Sequence, residues 1–368
     1  MTQEKASYCL VLVHTESDPY MLRVGIAGIG FMGMIHYLAY QQTHGLRVTA
    51  LWSRDEKKRR GDWRGIQGNF GPPGTEMDLG GIRSYGTLDE LLADDQVDLV
   101  DVTLPPWLHA DVSIRALQAG KHVFCEKPIA LTMADADRML EAARQAERHL
   151  LIGHVLPFLP EYQWARQVIE SGAYGRLLGG DFRRVIAHPE WIPDFWNAQR
   201  VGGPLLDLHV HDAHFIRLLF GRPTKISSIG RFRGDLPEHW HTAFAFADPR
   251  QTATACGGVI NQPGRSFTHG FEIHLEQATL TFDFGVFNGQ GVYVCRPTMF
   301  DPHGEAIHPD LGDGDPMRAF KTQAAEVVRS IQGAPSPILG GQLAHDALRI
   351  CYAQRDALRS RQTIDVAW

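Results

Sequence analysis

The sequence predicts an α/β protein: an N-terminal doubly wound parallel sheet, then a C-terminal α/β domain with a large, open, mostly antiparallel sheet. Three observations carry this reading. An apolar run, Val24-Gly25-Ile26-Ala27, leads into Gly28, Gly30 and Gly33 in G-x-G-x-x-G spacing and then into the helix-compatible MGMIHYLAYQQ. Strand and helix patterns alternate from there to about residue 155. Beyond residue 154 the pattern changes to period-two runs, each with one polar face, separated by amphipathic helices.

The glycine-rich turn has a physical reading. Gly28 permits the tight turn, Gly30 lets the backbone approach a pyrophosphate, and Gly33 lets the helix pack against the strand. The helix beginning near Phe31 and Met32 points free N–H groups and its positive dipole end toward phosphate. A second apolar strand, Arg47 to Trp52, completes the unit, so the first half reads as a dinucleotide-binding Rossmann domain.

Along the chain, a basic run at 53–60 precedes a Gly/Pro-rich loop from Gly65 to Gly81. Thr87 and Glu90 form a capping box. Val97 to Thr103 is a strand, and the helix after it stops at Gly120. Lys121 to Cys125 is the next strand, closed by Glu126-Lys127-Pro128; a helix over Met133 to His149 and a strand from Leu150 to Val155 follow. In the second half, helices are expected near 160–171, 208–220, 317–332 and 342–360. Strands are expected at Asp181–Val185, His241–Phe246, Phe271–Leu275 and Ala278–Phe282. Helices cover one face of that sheet; the other is solvated or meets another subunit. The division is 1–21 as an extension or flexible tail, 22–153 as the nucleotide-binding domain and 154–368 as a substrate-binding and oligomerisation domain. Met21 is the expected natural start, with a genuine edge strand near Tyr8 to Val13 as the alternative.

Composition narrows the function. A net charge of −6 on 368 residues gives no global attraction to nucleic acid. No run is long enough to span a membrane. The five cysteines are scattered and form no CxxC, which points to reduced thiols in a cytoplasmic protein and away from a disulfide framework or zinc cluster.

Four stretches resemble the glucose–fructose oxidoreductase/inositol dehydrogenase/rhizopine-catabolism (Gfo/Idh/MocA) oxidoreductases. They are GIAGIGFMG at 25–33, VDVTLPPWLHADVSIRALQAGKHVFCEKPIAL at 100–131, GAYGRLLG at 172–179 and GGPLLDLHVHDAHFIRLLFG at 202–221. The resemblance implies nicotinamide chemistry on sugars, inositols or related polyols, and a homodimer or homotetramer built through the C-terminal sheet. A glycosidase using bound NAD transiently, or a regulator that senses nicotinamide nucleotides, are the alternative functions.

Hydride transfer from a carbinol needs a base for the hydroxyl proton and a positive group for the developing alkoxide. Lys127, matching the family's EKP lysine, suits the second role. His211, with an ordinary pKa near neutrality, suits the first, and Asp207, four residues before it, orients the ring or shares the substrate's hydrogen bond. Thr103, Pro105 and His109 follow the strand that walls the nicotinamide side in the family, and Glu126 is expected beside the nicotinamide ribose or the lysine. His154, Trp196, Asn197 and His209 fall in stretches that line the relatives' substrate pocket, although Trp196 reads equally well as a core residue. A metal held by His209, His211 and His214 with a carboxylate from Asp207 or Asp212 is thinkable but unneeded beside the lysine, so no metal is expected. Val155-Leu156-Pro157-Phe158 lacks an arginine that many relatives carry there, so substrate assignments resting on it do not transfer.

For the cofactor, the end of the second strand has Ser53-Arg54 with Lys57 close behind, where a carboxylate would favour NAD. A hydroxyl and cations suit a 2′-phosphate, so NADP is favoured over NAD. The competing reading is a solvated basic helix with Asp55 approaching the ribose.

Overall fold

The computed structural model describes residues 21–68, 70–190, 192 and 194–368; the expected tail at 1–20 lies outside the described residues. The first sheet holds β1 (Leu22–Ala27), β2 (Leu46–Trp52), β3 (Arg83–Tyr85), β4 (Leu99–Val102), β5 (His122–Glu126) and β6 (Leu150–Gly153). Their order is β3-β2-β1-β4-β5-β6, all parallel. This order places the topological switch between β2 and β4 at β1, and its crevice lies beyond the carboxyl ends of β1 and β4. Helices α1 (Phe31–Tyr40), α2 (Glu56–Arg59), α3 (Leu88–Ala93), α4 (His109–Gln118) and α5 (Met133–Ala146) make the crossovers. The Thr87 capping box forms with both of its bonds, and Gly120 follows α4 at φ +78°.

After α6 (Pro160–Ser171) comes β7 (Leu177–Ala187), and α7 (Val210–Phe220) follows it. The remaining strands are β8 (Lys225–Arg233), β9 (Leu236–Ala245), β10 (Thr252–Ile260), β11 (Arg265–Leu275), β12 (Thr279–Phe287), β13 (Gln290–Phe300) and β14 (Ala306–Ile307). Two helices, α8 (Met317–Ile331) and α9 (Gly341–Ser360), precede β15 (Ile364–Asp365). The nine strands order as β14-β13-β12-β11-β7-β10-β9-β8-β15. Every pairing is antiparallel except β7 with β10.

Along β9 the side chains of Trp240, Thr242 and Phe244 are buried, while His241, Ala243 and Ala245 are exposed. Helices α7 and α9 pack together on the buried side. Asp346 on α9 joins them, accepting bonds from Arg217 (2.9 Å) and Arg222 (3.0 Å). Burial works against its charge, but bonds from His345, Arg222, Gln342 and Arg217 hold Asp346 well below the usual carboxylate range. Helix α8 turns back to the first sheet: Ala319, Ala324, Val327 and Val328 share a core with Met34, Tyr37 and Leu46. Among the described residues no helix is long and apolar enough to cross a membrane.

Candidate active site

The glycine turn is built as its sequence requires. Gly28 sits at φ +108°, a region that L side chains rarely adopt. A Cβ on Gly33 would lie 2.3 Å from the Gly28 carbonyl oxygen, so helix and strand touch at backbone distance. Thr103, at the end of β4, donates its hydroxyl to that same oxygen at 2.6 Å and locks the turn across the switch point. A Cβ on Gly30 would meet nothing within 4 Å: the cradle in front of α1 is open, and its N-cap carries no side chain. That space, backed by a helix N-terminus with no acidic residue in its first turn, fits a dinucleotide pyrophosphate. Phe31 at the helix start is packed edge-on against Phe70, 4.8 Å between centroids. Met32 follows it on the same turn, half-buried.

Beyond β2, Ser53 is buried and its hydroxyl accepts from the Asp55 N–H at 3.2 Å. The Asp55 carboxylate caps α2 through Lys57 N (2.9 Å) and Lys58 N (3.4 Å), which engages the one acid that competes for a ribose. Arg54 and Lys57 are exposed, and among the described residues neither has a carboxylate at ion-pair distance. Pro105 opens the short 3₁₀ turn Pro106–Leu108. His109 is buried, its two ring nitrogens 2.8 Å from the carbonyl oxygens of Pro128 and Leu104, so it ties the loops after β4 and β5 together.

Lys127 leaves the carboxyl end of β5 and donates to Asp207, to the main-chain oxygen at 2.6 Å and to Oδ1 at 3.1 Å. Asp207 sits in a π-helical turn, Leu205–His209, that precedes α7. This corrects the expectation of an α-helix from 208 with Asp207 and His211 stacked at α spacing. The extra residue per turn changes which side chains align, and Asp207 is bonded to Lys127, not to His211. His211 occupies the first turn of α7, half-buried, with Nδ1 shielded and without a hydrogen-bond partner. Burial, together with the Lys127 and Arg184 cations, pushes His211 well below the ordinary histidine value. The expected near-neutral pKa is therefore corrected too: burial and the two cations favour the neutral ring.

Behind His211 the chain stacks further histidines. His154, just past β6, lies 4.0 Å from His214 ring to ring and 6.1 Å from His211. His214 is fixed by Ile338 O, 3.0 Å from its Nε2. His154 and His209, expected to line a substrate pocket, are 0% and 1% exposed, so they support the site from behind without facing a ligand. Burial pushes His209 down to about 4; it packs edge-on against Trp240, with Asp212 3.8 Å away. Trp196 donates to His188 Nδ1 at 3.2 Å and carries the Arg233 guanidinium 4.7 Å over its ring, so one face of the ring is taken by a cation. Asn197 organises the loop that follows it, its carbonyl accepting from the backbone N–H groups of Arg200, Val201 and Gly202.

Sequence reasoning missed the buried charges that hold this machinery. Glu126, expected beside the nicotinamide ribose or Lys127, is turned inward, 3.1 Å from His36 Nε2. His36 Nδ1 meets Asp101 Oδ2 at 2.9 Å, and Tyr40 donates to the same oxygen at 2.8 Å. One imidazole thus joins α1, β4 and the residue before Lys127. Burial would push His36 down, but Asp101 and Glu126 reverse this and raise it to about 10. A raised folded-state pKa adds stability that is complete below the unfolded value near 6.5 and is lost as pH climbs toward about 10. The thermal midpoint is therefore expected to fall across that alkaline interval, and His36→Gln is expected to flatten the fall; an unchanged slope in the variant would contradict the pairing. A carboxylate inside the apolar strand Leu99-Val100-Asp101-Val102 was the available signal. The second missed pair is Arg184 on β7, which grips Asp212 on α7 through Nε (2.9 Å) and Nη2 (3.1 Å), both side chains buried.

Comparison with known proteins identifies the two domains. Residues 22–154 match the oxidoreductase family with an NAD-binding Rossmann fold, and residues 162–281 match the GFO/IDH/MocA C-terminal domain. The chain is 30% identical to 1,5-anhydro-D-fructose reductase of Ensifer adhaerens over 281 residues, 73% of this chain and 79% of that one. It is 28% identical to levoglucosan dehydrogenase of Pseudarthrobacter phenanthrenivorans, over 72% of this chain and 74% of the relative. Myo-inositol 2-dehydrogenase of Thermotoga maritima aligns at 28% over 54% of this chain and 55% of its own length. Among solved structures, levoglucosan dehydrogenase in complex with NADH and levoglucosan superposes with a TM-score of 0.75 at 20% identity, covering 95% of this chain and all (100%) of that one. Aldose-aldose oxidoreductase from Caulobacter crescentus gives 0.72 at 22% identity, covering 94% and 99%. The chain belongs to the Gfo/Idh/MocA family of nicotinamide-dependent oxidoreductases.

Proposed function

We propose that this protein transfers a hydride between NADP and a carbinol of a sugar, anhydrosugar, inositol or related polyol. The observation that carries the reading is the Lys127 ammonium fixed on Asp207 at 2.6 and 3.1 Å beside the neutral, half-buried His211. The bound nicotinamide would supply or accept the hydride. Lys127 orients the substrate hydroxyl and stabilises the oxygen as negative charge develops on it. His211 takes the hydroxyl proton during oxidation and returns it during reduction. Asp207 holds the ammonium in place and accepts a further substrate hydroxyl. Gly28, Gly30, Gly33, Phe31, Met32 and Thr103 form the pyrophosphate turn, and Pro105 stands at the nicotinamide end.

Residues 22–153 hold the nucleotide, and 154–368 supply the substrate side and the assembly surface. Assembly as a homodimer or homotetramer through the uncovered sheet face is supported by Ile229, 74% exposed in the middle of β8. A cytoplasmic location is supported by the free thiols of Cys125, Cys256, Cys295 and Cys351.

The NADP preference rests on Ser53, Arg54 and Lys57. A sugar, anhydrosugar and polyol panel followed by reduced-nucleotide absorbance, with NAD and NADP in parallel, tests the function. Arg54→Ala is expected to weaken NADP about 10–100-fold and leave NAD unchanged, since a hydrogen bond to a charged group contributes about 1.5–3 kcal/mol. Tighter binding of NAD than NADP by the wild type would overturn the preference.

A further inference from the structure

On the face of the nine-stranded sheet turned away from Trp240 and the active site, three metal-ligating side chains converge. His239 and His241 are two apart on β9, so both rings project to the same side. Cys256 on β10 is paired directly across from His241. The residue paired with His239 is Gly258, which carries no side chain to stand between the rings. The thiol therefore lies between two imidazoles, with Sγ 3.7 Å from His241 Nε2 and 4.0 Å from His239 Nε2. All three donor atoms fall within 4.8 Å of one another. Among the described residues these side chains hydrogen-bond to nothing but each other.

We propose that His239, His241 and Cys256 form a binding site for a borderline divalent transition-metal ion of the zinc class. Two imidazoles and a thiolate are the donor set such ions take, whereas calcium and magnesium require oxygen ligands. The spacing fits. With Zn–S at about 2.3 Å and Zn–N at about 2.0–2.1 Å, tetrahedral coordination places sulfur and nitrogen about 3.6 Å apart. The two S···N separations differ from this by a few tenths of an ångström, within reach of small side-chain rotations. His241 and Cys256 open into a 460 Å³ recess that also borders Ile229, Thr254 and Arg361; in the free protomer this gives an ion a path in and leaves the fourth position to water, and where this face is covered by assembly that position falls to the partner surface.

The surroundings tolerate the charge. Arg231 is neutralised by Glu238 at 2.6 Å and Arg183 by Asp283. Binding releases the thiol proton to solvent and forms the metal–sulfur bond, with no change of oxidation state. The scattered cysteines gave no sign of this in sequence, because strand pairing supplies the neighbours.

Cobalt(II) titration of the full-length protein tests the site, with zinc(II) as competitor. The expected result is one cobalt per chain, a thiolate-to-cobalt charge-transfer band, and loss of that band when zinc is added. Cys256→Ser is expected to abolish the band. His241→Asn and His239→Asn are each expected to weaken binding at least about tenfold, the lower bound for losing even an outer-shell partner. All three positions lie on the uncovered face, and the metal-free circular dichroism and thermal midpoint of each variant establish that it folds. A wild-type protein without the band, or a band that survives in Cys256→Ser, would overturn the proposal.

Discussion

Replacing Lys127 with alanine is expected to lower turnover about 10²–10⁴-fold while nucleotide affinity stays near the wild-type value. The ammonium meets Asp207 and not the pyrophosphate turn, so the cradle formed by Gly28, Gly30 and Gly33 survives the change. His211→Ala is expected to fall in the same range, and His211→Asn to recover little, because an amide holds a hydroxyl but cannot take its proton. The pH profile separates this role from a structural one. With its pKa depressed by burial and by Lys127 and Arg184, His211 stays neutral far below pH 6.5. The acid limb of kcat/KM for oxidation should therefore lie below the ordinary histidine range. A limb at the ordinary value that disappears in His211→Asn would show a solvated ring; near-normal turnover of the His211 variants would move the base to Asp207.

Arg184→Met is expected to cost about 3–5 kcal/mol of stability, because it leaves the buried Asp212 carboxylate without its partner. The urea midpoint should drop accordingly. The double variant Arg184→Met/Asp212→Leu, which removes both charges, should recover much of the loss. A functional consequence follows from the same charge: Arg184 is one of the cations that depress His211. In Arg184→Met the acid limb should move upward toward 6.5, which a purely structural loss would not produce. A stable single variant with an unshifted limb would contradict the assignment.

The first sheet was legible because β1, β2, β4 and β5 are mostly buried, largely apolar runs closed by glycine, proline or a cap. The G-x-G-x-x-G spacing then fixed where the crevice lies, and the EKP lysine follows the carboxyl end of β5 in the same sheet. Strand β13 was not legible: most of its first seven residues are exposed, so no alternation exists to read. Strand β10 hides for another reason, since Ala253 and Ala255 fill its buried positions with small side chains. Its parallel pairing with β7 is a property of topology, not of local pattern.

At the candidate site, the residues at strand ends and on α7 were named from their types and positions. Their orientations were not. The π-turn at Leu205–His209 redirected Asp207, and no local residue type announces such a turn. Glu126 turned inward because His36, 90 positions earlier in sequence, provides a buried cation for it. His154 and His209 are buried, since burial depth depends on packing partners remote in sequence: His214 stacks on His154, and Trp240 packs edge-on against His209.

The central claim is direct hydride transfer from a sugar-class carbinol to the nicotinamide nucleotide at Lys127, Asp207 and His211. Its most direct test starts from an active substrate found in the panel, carrying deuterium at the carbon to be oxidised, and analyses the nucleotide recovered after turnover by mass spectrometry. The account predicts one deuterium on each molecule of reduced nucleotide, formed in step with the oxidised product. Substrate conversion without net reduced nucleotide, or reduced nucleotide without deuterium, would contradict it.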